Sequence, residues 1–282
     1  MIEILHMDKR VGRSWILRDV NTVLQPGLTV IVGANGSGKS TLIRCIAGQW
    51  RPTRGEIRLN GKPVGRLGPE VGVLLDPPSF YEHLTASEML AYYVHLAGRK
   101  WTPEYDELLH RFGVPEGRIR GFSRGQKQRL GIVCSVWSQP KVWILDEPFT
   151  GLDARGVDAL WKEVDRALRT HAEHVVMVLH AAYGFPQKIR QVVRISNHTV
   201  DFRGSRVEFA QQVLVERNGK LDARWADVLK RNHVPFQEGE NPTEIILSPE
   251  AELFTYAVEC LLNAGFQPLA DETAHHARSD TF

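Results

Sequence analysis

Gly33-Ala34-Asn35-Gly36-Ser37-Gly38-Lys39-Ser40-Thr41 lies between two apolar runs. Leu28-Thr29-Val30-Ile31-Val32 before it has the composition of a buried strand, and Thr41-Leu42-Ile43-Arg44-Cys45-Ile46-Ala47 after it that of a helix. Strand, glycine-rich turn and helix, in that order, form a phosphate-binding P-loop. Glycines let backbone N–H groups turn inward and approach a polyphosphate without a Cβ in the way. The helix start adds partial positive charge at the same point. Lys39 then suits the β- and γ-phosphates and Ser40 a Mg²⁺ ion. A chance match to the motif arises in roughly one chain in a hundred of this length, and the flanking strand and helix make chance a poorer account still.

Working outward, residues 1–60 read as several strands around the P-loop helix, with Glu56-Ile57-Arg58-Leu59-Asn60-Gly61 ending in an Asn-Gly turn. Residues 86–140 change to helical spacing: one helix over Ser87–Leu96, a second after Pro103, a third over about Ser123–Trp137. Lys141-Val142-Trp143-Ile144-Leu145-Asp146 returns to a short apolar strand ending in a carboxylate. A helix over Ala154–Thr170 and a strand over Val175–Leu179 complete a βαβ unit. After about residue 205 the spacing loosens; helices near Trp225–Arg231 and Ala251–Ala264 flank a strand over Thr243–Leu247. Residues 271–282, with His275 and His276, read as a disordered tail. The expected domains are 1–205, containing a helical insert over about 86–140, then a small α+β appendix over 206–270.

The whole-chain numbers narrow the classes. The 282 residues have 43% hydrophobic content, 24% charged content and a net charge of +2, which is ordinary for a globular protein and implies no broad attraction for nucleic acid. Cys45, Cys134 and Cys260 have no metal-ligand spacing and read as reduced, buried thiols. The N-terminus alternates like a strand rather than a signal peptide, and no run of about 18 apolar residues is present to span a membrane.

Asp146-Glu147 closes the Val142–Leu145 strand, where carboxylates face the ligand crevice of a parallel sheet. Beside a P-loop, Asp146 suits Mg²⁺, and Glu147 suits a general base for an attacking water.

Together these motifs resemble the ATP-binding cassette (ABC) ATPases. Phe122-Ser123-Arg124-Gly125-Gln126-Lys127-Gln128-Arg129-Leu130 is similar to their signature segment, and Leu145-Asp146-Glu147-Pro148-Phe149-Thr150-Gly151-Leu152-Asp153 to their Walker B and D-loop. His180 falls where they carry a switch histidine, and the order and intervals match across residues 1–205. The resemblance implies an α/β P-loop core of ABC type with an antiparallel β-subdomain, a helical insert and the small appendix. It implies ATP and Mg²⁺ held by residues 33–41 (Gly33, Ala34, Asn35, Gly36, Ser37, Gly38, Lys39, Ser40, Thr41), with Ser40, Asp76 and Asp146 at the metal and Glu147 and His180 catalytic. Ser123, Gly125 and Gln126 would cap the γ-phosphate on a second cassette in a head-to-tail dimer. Asp153 would run along that dimer interface.

The implied role is the ATPase subunit of a transporter. It would sit on the cytoplasmic face of the membrane through a separate permease, with no nucleic-acid partner. The Tyr81-Glu82-His83-Leu84-Thr85 stretch and the appendix resemble exporter cassettes of the drug and bacteriocin-resistance kind. A non-transport ABC ATPase, or a regulatory subunit with weak hydrolysis, are the alternatives. Three positions depart from the family pattern. Val11 stands where an aromatic usually stacks on adenine, with Trp15 as the candidate substitute. Asp76 stands for the Q-loop glutamine, and Arg124 for a signature glycine. Phe80, Tyr81 and Leu84 are candidates either for docking the permease or for burial against the helical insert.

Overall fold

The computed structural model describes residues 1–65, 70–179, 188–248, 254–264 and 266. A six-stranded sheet runs through its centre. The strands are β3 (Gly27–Val32), β6 (Val71–Leu74), β7 (Val142–Asp146), β8 (His174–Val178), β9 (Ile189–Ser196) and β10 (Thr199–Gly204), in the spatial order β10-β9-β3-β8-β7-β6. Every pairing is parallel except the β9–β10 hairpin. β7 and β8 are neighbours joined through α5 (Ala154–Thr170), the expected βαβ unit.

Strand alternation assigns the two faces. Val30, Trp143, Leu145, Val175 and Met177 point into one core, against α2 (Ala86–Leu96), α3 (Pro103–Arg111), α4 (Arg124–Val136) and α5. Ile31, Ile144, Val176 and Val178 point into the other, against α1 (Lys39–Ile46) and a four-stranded antiparallel sheet. That sheet is built from β1 (Ile2–Val11), β2 (Ser14–Leu24), β4 (Arg54–Leu59) and β5 (Lys62–Pro63), in the order β2-β1-β4-β5. Burial on both faces explains why the central strands read as unbroken apolar runs. Trp143 is wholly buried and its indole N–H donates to Ser135 Oγ at 2.9 Å, so even this core polar atom has a partner.

A third core holds the C-terminal elements: α6 (Arg206–Glu216), β11 (Lys220–Asp222), α7 (Ala226–Arg231), β12 (Gln237–Glu238), β13 (Glu244–Ile246) and α8 (Phe254–Asn263). The strands form a small antiparallel sheet in the order β11-β13-β12. The sequence reading did not foresee α6. Its apolar side chains split between two cores, Phe209 and Val213 entering the central one and Ala210 and Leu214 the C-terminal one. A helix buried on two sides has no single stripe to detect. Its start carries a full capping box between Ser205 and Glu208. The expected tail at 271–282 lies outside the described residues. Among those described, no helix is long and apolar enough to cross a membrane.

Candidate functional site

The parallel strands end on one edge of the sheet, and their register collects the chemistry there. Pairing sets Ile31 and Asp146 both level with Val178, and Leu74 level with Leu145. The P-loop after β3, Asp146-Glu147 at the end of β7 and Asp76 just past β6 therefore share that edge.

Glycine is required at two P-loop positions. A Cβ on Gly33, where φ is +145°, would strike the Ile195 carbonyl; one on Gly38, at φ +107°, would sit 2.7 Å from Leu17 Cδ2. Gly38 is the N-cap of α1 and offers no side-chain cap, so the first amides of the helix remain open to an anion. Lys39 is only 5% exposed. Its ammonium donates to the carbonyls of Gly33 at 2.6 Å and Ala34 at 2.8 Å, which folds the cation back over the loop. Ser37 Oγ is buried with no partner, while Ala34, Asn35 and Gly36 form the exposed tip.

Asp146 is the orphan of the site. Neither carboxylate oxygen makes a well-formed hydrogen bond, and the side chain is 1% exposed. Burial pushes its carboxyl above the ordinary range. The nearby Ser40 hydroxyl offsets part of that, and Glu147 and Asp76 add to it. A buried carboxylate with empty lone pairs beside the Ser40 hydroxyl offers oxygen donors of the kind a hard divalent cation takes, although no cluster of three or more acidic, histidine or cysteine side chains close enough to hold a metal ion by themselves is present among the described residues. Ser40, Asp146 and Asp76 would hold Mg²⁺ there, and Mg²⁺ would neutralise charge on the phosphates. Glu147 follows in a left-handed conformation, φ +48°. Its carbonyl accepts from Thr150 N at 3.2 Å and from Gln128 Nε2 at 3.2 Å. Gln128, 1% exposed on α4, escaped the sequence reading. The available signal was a glutamine on the buried face of the helix, in line with Leu130 to Val136, where a polar side chain must have a partner.

The signature segment forms a second cluster around the start of α4. Ser123 Oγ accepts from Gln126 N at 3.3 Å, and Gln126 Oε1 accepts from Ser123 N at 2.8 Å. Both side chains thus use acceptor atoms in the cap, leaving the Ser123 O–H and the Gln126 amide N–H groups to donate elsewhere. Gly125 is pressed against Gly151, whose carbonyl a Cβ would strike. Asp153 caps α5 through Gly156 N at 2.9 Å and pairs with Arg129 at 2.7 Å, contacts that hold its carboxyl below the usual range. The Glu147–Asp153 loop is therefore the bridge between the two clusters.

Two of the departures from the family pattern meet each other. Arg124 Nη2 lies 3.6 Å from Asp76 Oδ2, while the other Asp76 oxygen is buried without a partner. Val11 is exposed at the β1–β2 hairpin tip, and the guanidinium groups of Arg10 and Arg18 lie 5.7 and 5.6 Å from the centre of the Trp15 ring. Phe80 and Leu84 pack on the core of the helical insert, whereas Tyr81 is exposed and meets Tyr92 edge-on at 5.6 Å. His180 lies outside the described residues. Thr41 is half-buried in the first turn of α1.

Comparison with known proteins agrees with this architecture. The family described as ABC transporter matches residues 17–150. The ABC-type transporter ATP-binding protein EcsA of Bacillus subtilis is 31% identical over 235 residues, covering 78% of this chain and 93% of its own. The first two curated relatives are matched over only 61% and 63% of their own lengths. Relatives named for both directions of transport match. The cytochrome c biogenesis export protein CcmA of Bordetella parapertussis is 36% identical over 56% of this chain and 75% of its own. The maltose/maltodextrin import protein MalK of Yersinia pestis is 32% identical over 61% and 49%. A solved ATP-binding subunit of an ABC transporter superposes with a TM-score of 0.66 at 27% identity, covering 75% of this chain and 92% of that one. This chain belongs to the ATP-binding proteins of the ABC transporter family.

Proposed function

We propose that the protein binds ATP with Mg²⁺ at the P-loop edge, hydrolyses it as a head-to-tail dimer, and so drives a separate membrane permease in export. The observation that carries the hydrolytic reading is Asp146, buried with both oxygens unsatisfied beside Ser40 and followed at once by Glu147. Lys39 would leave the loop carbonyls for the phosphates, and the open amides of α1 would take the remaining charge. Glu147, its backbone fixed by Gln128 and Thr150, would accept the proton of the attacking water. Ser123 and Gln126, with donor hydrogens left over from their cap, would meet the γ-phosphate held by the second cassette. His180 would sense that phosphate by family resemblance. Export is the direction suggested by the Tyr81–Thr85 stretch and the appendix.

The permease would dock on an apolar groove of about 720 Å³ along the β6 edge, walled by α2 and α4 and including Pro77, Phe80, Tyr93 and Leu96. Attachment to the cytoplasmic face of a membrane would come through that contact.

Glu147→Gln tests the reading. Calorimetric ATP affinity should be kept while steady-state turnover falls by roughly 10²–10⁴-fold, the usual contribution of a general base. Wild-type turnover in the variant would overturn the assignment.

A further inference from the structure

The last turn of α6 is tied to the strand beside the P-loop by one guanidinium. Arg194, 7% exposed, donates from Nε to both Asp201 carboxylate oxygens at 3.0 and 3.1 Å, and from Nη1 and Nη2 to the two Glu216 oxygens at 2.8 and 2.9 Å. Asp201 belongs to β10 and Glu216 ends α6, so three elements meet on one planar fork. Gln212 Nε2 donates to Glu216 Oε1 at 2.8 Å and braces the carboxylate from within its own helix. The fork stands next to the nucleotide loop. Arg194 pairs in register with Val32, the last residue of β3. The following carbonyl, that of Ile195, lies so close to Gly33 that a Cβ there would come within 2.3 Å of it. Residues 33–37 form one wall of a polar cleft of about 480 Å³, and Arg194, Asp201 and Glu216 line the rest of it with the β9–β10 turn.

Packing alone does not require this arginine. Phe209 and Val213 already hold α6 to the central core. Apolar side chains of similar volume often replace a buried ion network with no loss of stability, whereas a guanidinium fork fixes distance and angle. We propose that Arg194 is a positioning residue for nucleotide binding: its fork sets β9 against Gly33, and through Glu216 the C-terminal unit holds the P-loop in the shape that takes ATP. The proposal rests on the ATP-binding reading above and adds to it a dependence on α6. Gly33 has no slack, because the Ile195 carbonyl is pressed on it. A small shift of β9 therefore displaces the loop amides that meet phosphate. The link runs both ways: ATP that fixes the loop also steadies the last turn of α6.

The test measures ATP affinity by calorimetry on the full chain with Mg²⁺ present, beside the urea midpoint of each variant. Arg194→Met should raise the ATP Kd about 30-fold and Glu216→Gln about fivefold. The double variant should be no weaker than Arg194→Met alone, because both residues act through one fork. Val213→Ala is the control for loosening. It thins the contact of the same helix with the central core, so it should lower the urea midpoint and leave the ATP Kd unchanged. Hydrogen exchange reads the reverse direction: ATP should slow amide exchange in the last turn of α6 in the parent protein and not in Arg194→Met. An unchanged Kd in a folded Arg194→Met would overturn the proposal. Should that variant not fold, an unchanged Kd in Glu216→Gln, at a carboxylate side chain 45% exposed, would do the same. A Val213→Ala penalty in Kd as large as that of Arg194→Met would reduce the fork to ordinary packing and overturn it as well. So would penalties that add in the double variant, or ATP protection of α6 that persists without the arginine. Failure of the parent protein to bind ATP would overturn the ATP-binding reading itself, and the proposal with it.

Discussion

Helix α1 begins on Gly38, left-handed, with no side chain accepting from its first amides. Helix α4 begins on Ser123 with a reciprocal cap in which Ser123 and Gln126 each satisfy the other's backbone. Both helix starts belong to the proposed nucleotide machinery, yet only α4 is complete by itself. An uncapped start leaves donors that only a ligand or water can fill, so α1 is built to be finished from outside. The capped start of α4 stands on its own, and a phosphate meets only the hydrogens that the cap does not use. The P-loop half should therefore gain stability from ATP, and the signature half should show its structural worth without any nucleotide.

The sharpest way to break this contrast is Lys39→Ala. ATP binding should be lost by calorimetry, and with it the thermal stabilisation, about 2.7 kcal/mol at a ligand concentration near 100 times Kd in the parent protein. Retained affinity would show that the open helix start suffices without the lysine.

A smaller effect is expected at His174, which lies at the other end of β8 from the site. Burial and the N-terminal ammonium push its imidazole down to about 4, the Glu173 carboxylate and the Gln25 backbone offset part of that shift, and neither ring nitrogen makes a well-formed hydrogen bond. The unfolded chain takes up that proton near pH 6.5. Between about pH 6.5 and 4 the unfolded state therefore binds more protons, so stability falls as pH drops through that window and levels off below it. The loss is on the order of 3 kcal/mol, and His174→Gln should flatten the profile in denaturant titrations. An unchanged slope would place the acid sensitivity elsewhere.

Ser123→Ala should cost about 1 kcal/mol of stability, the ordinary worth of a helix cap, and should do so equally with and without ATP in the monomer. A cost that appears only with nucleotide would make the hydroxyl a ligand first and a cap second.

The smallest effect concerns the pair where the two halves touch. Asp76→Asn removes a charge beside Asp146 and frees Arg124. The Mg²⁺ midpoint for ATPase activity should shift upward by roughly 3- to 10-fold. An unmoved midpoint would make Asp76 a structural partner of Arg124 only.

How much of this was legible beforehand follows from how local each feature is. The P-loop and the Asp146 strand are written in consecutive residues, because backbone sterics and burial on both faces leave few other readings. The helix start at Ser123 is a four-residue pattern, Ser123 to Gln126, and equally plain. Gln128 was not visible, since a polar residue in a helix does not announce that it will face a loop carbonyl. The Asp76–Arg124 contact joins two positions in different segments, each of which looks only like an exception when taken singly.

Helix α6 has a consequence for the ancestry and the handling of this chain. The seam between the nucleotide-binding body and the C-terminal unit runs lengthwise through a single helix, with Phe209 and Val213 on one side and Ala210 and Leu214 on the other. At the helix's far end Glu216 takes two hydrogen bonds from Arg194, a β9 residue in register with Val32 just ahead of the P-loop. A cut before the helix strips a wall from the catalytic body, and a cut after it leaves an oily stripe in water. The C-terminal unit therefore cannot be shed or exchanged by a clean break at a linker, and its loss in a descendant would demand that the exposed side of α6 be rewritten at the same time.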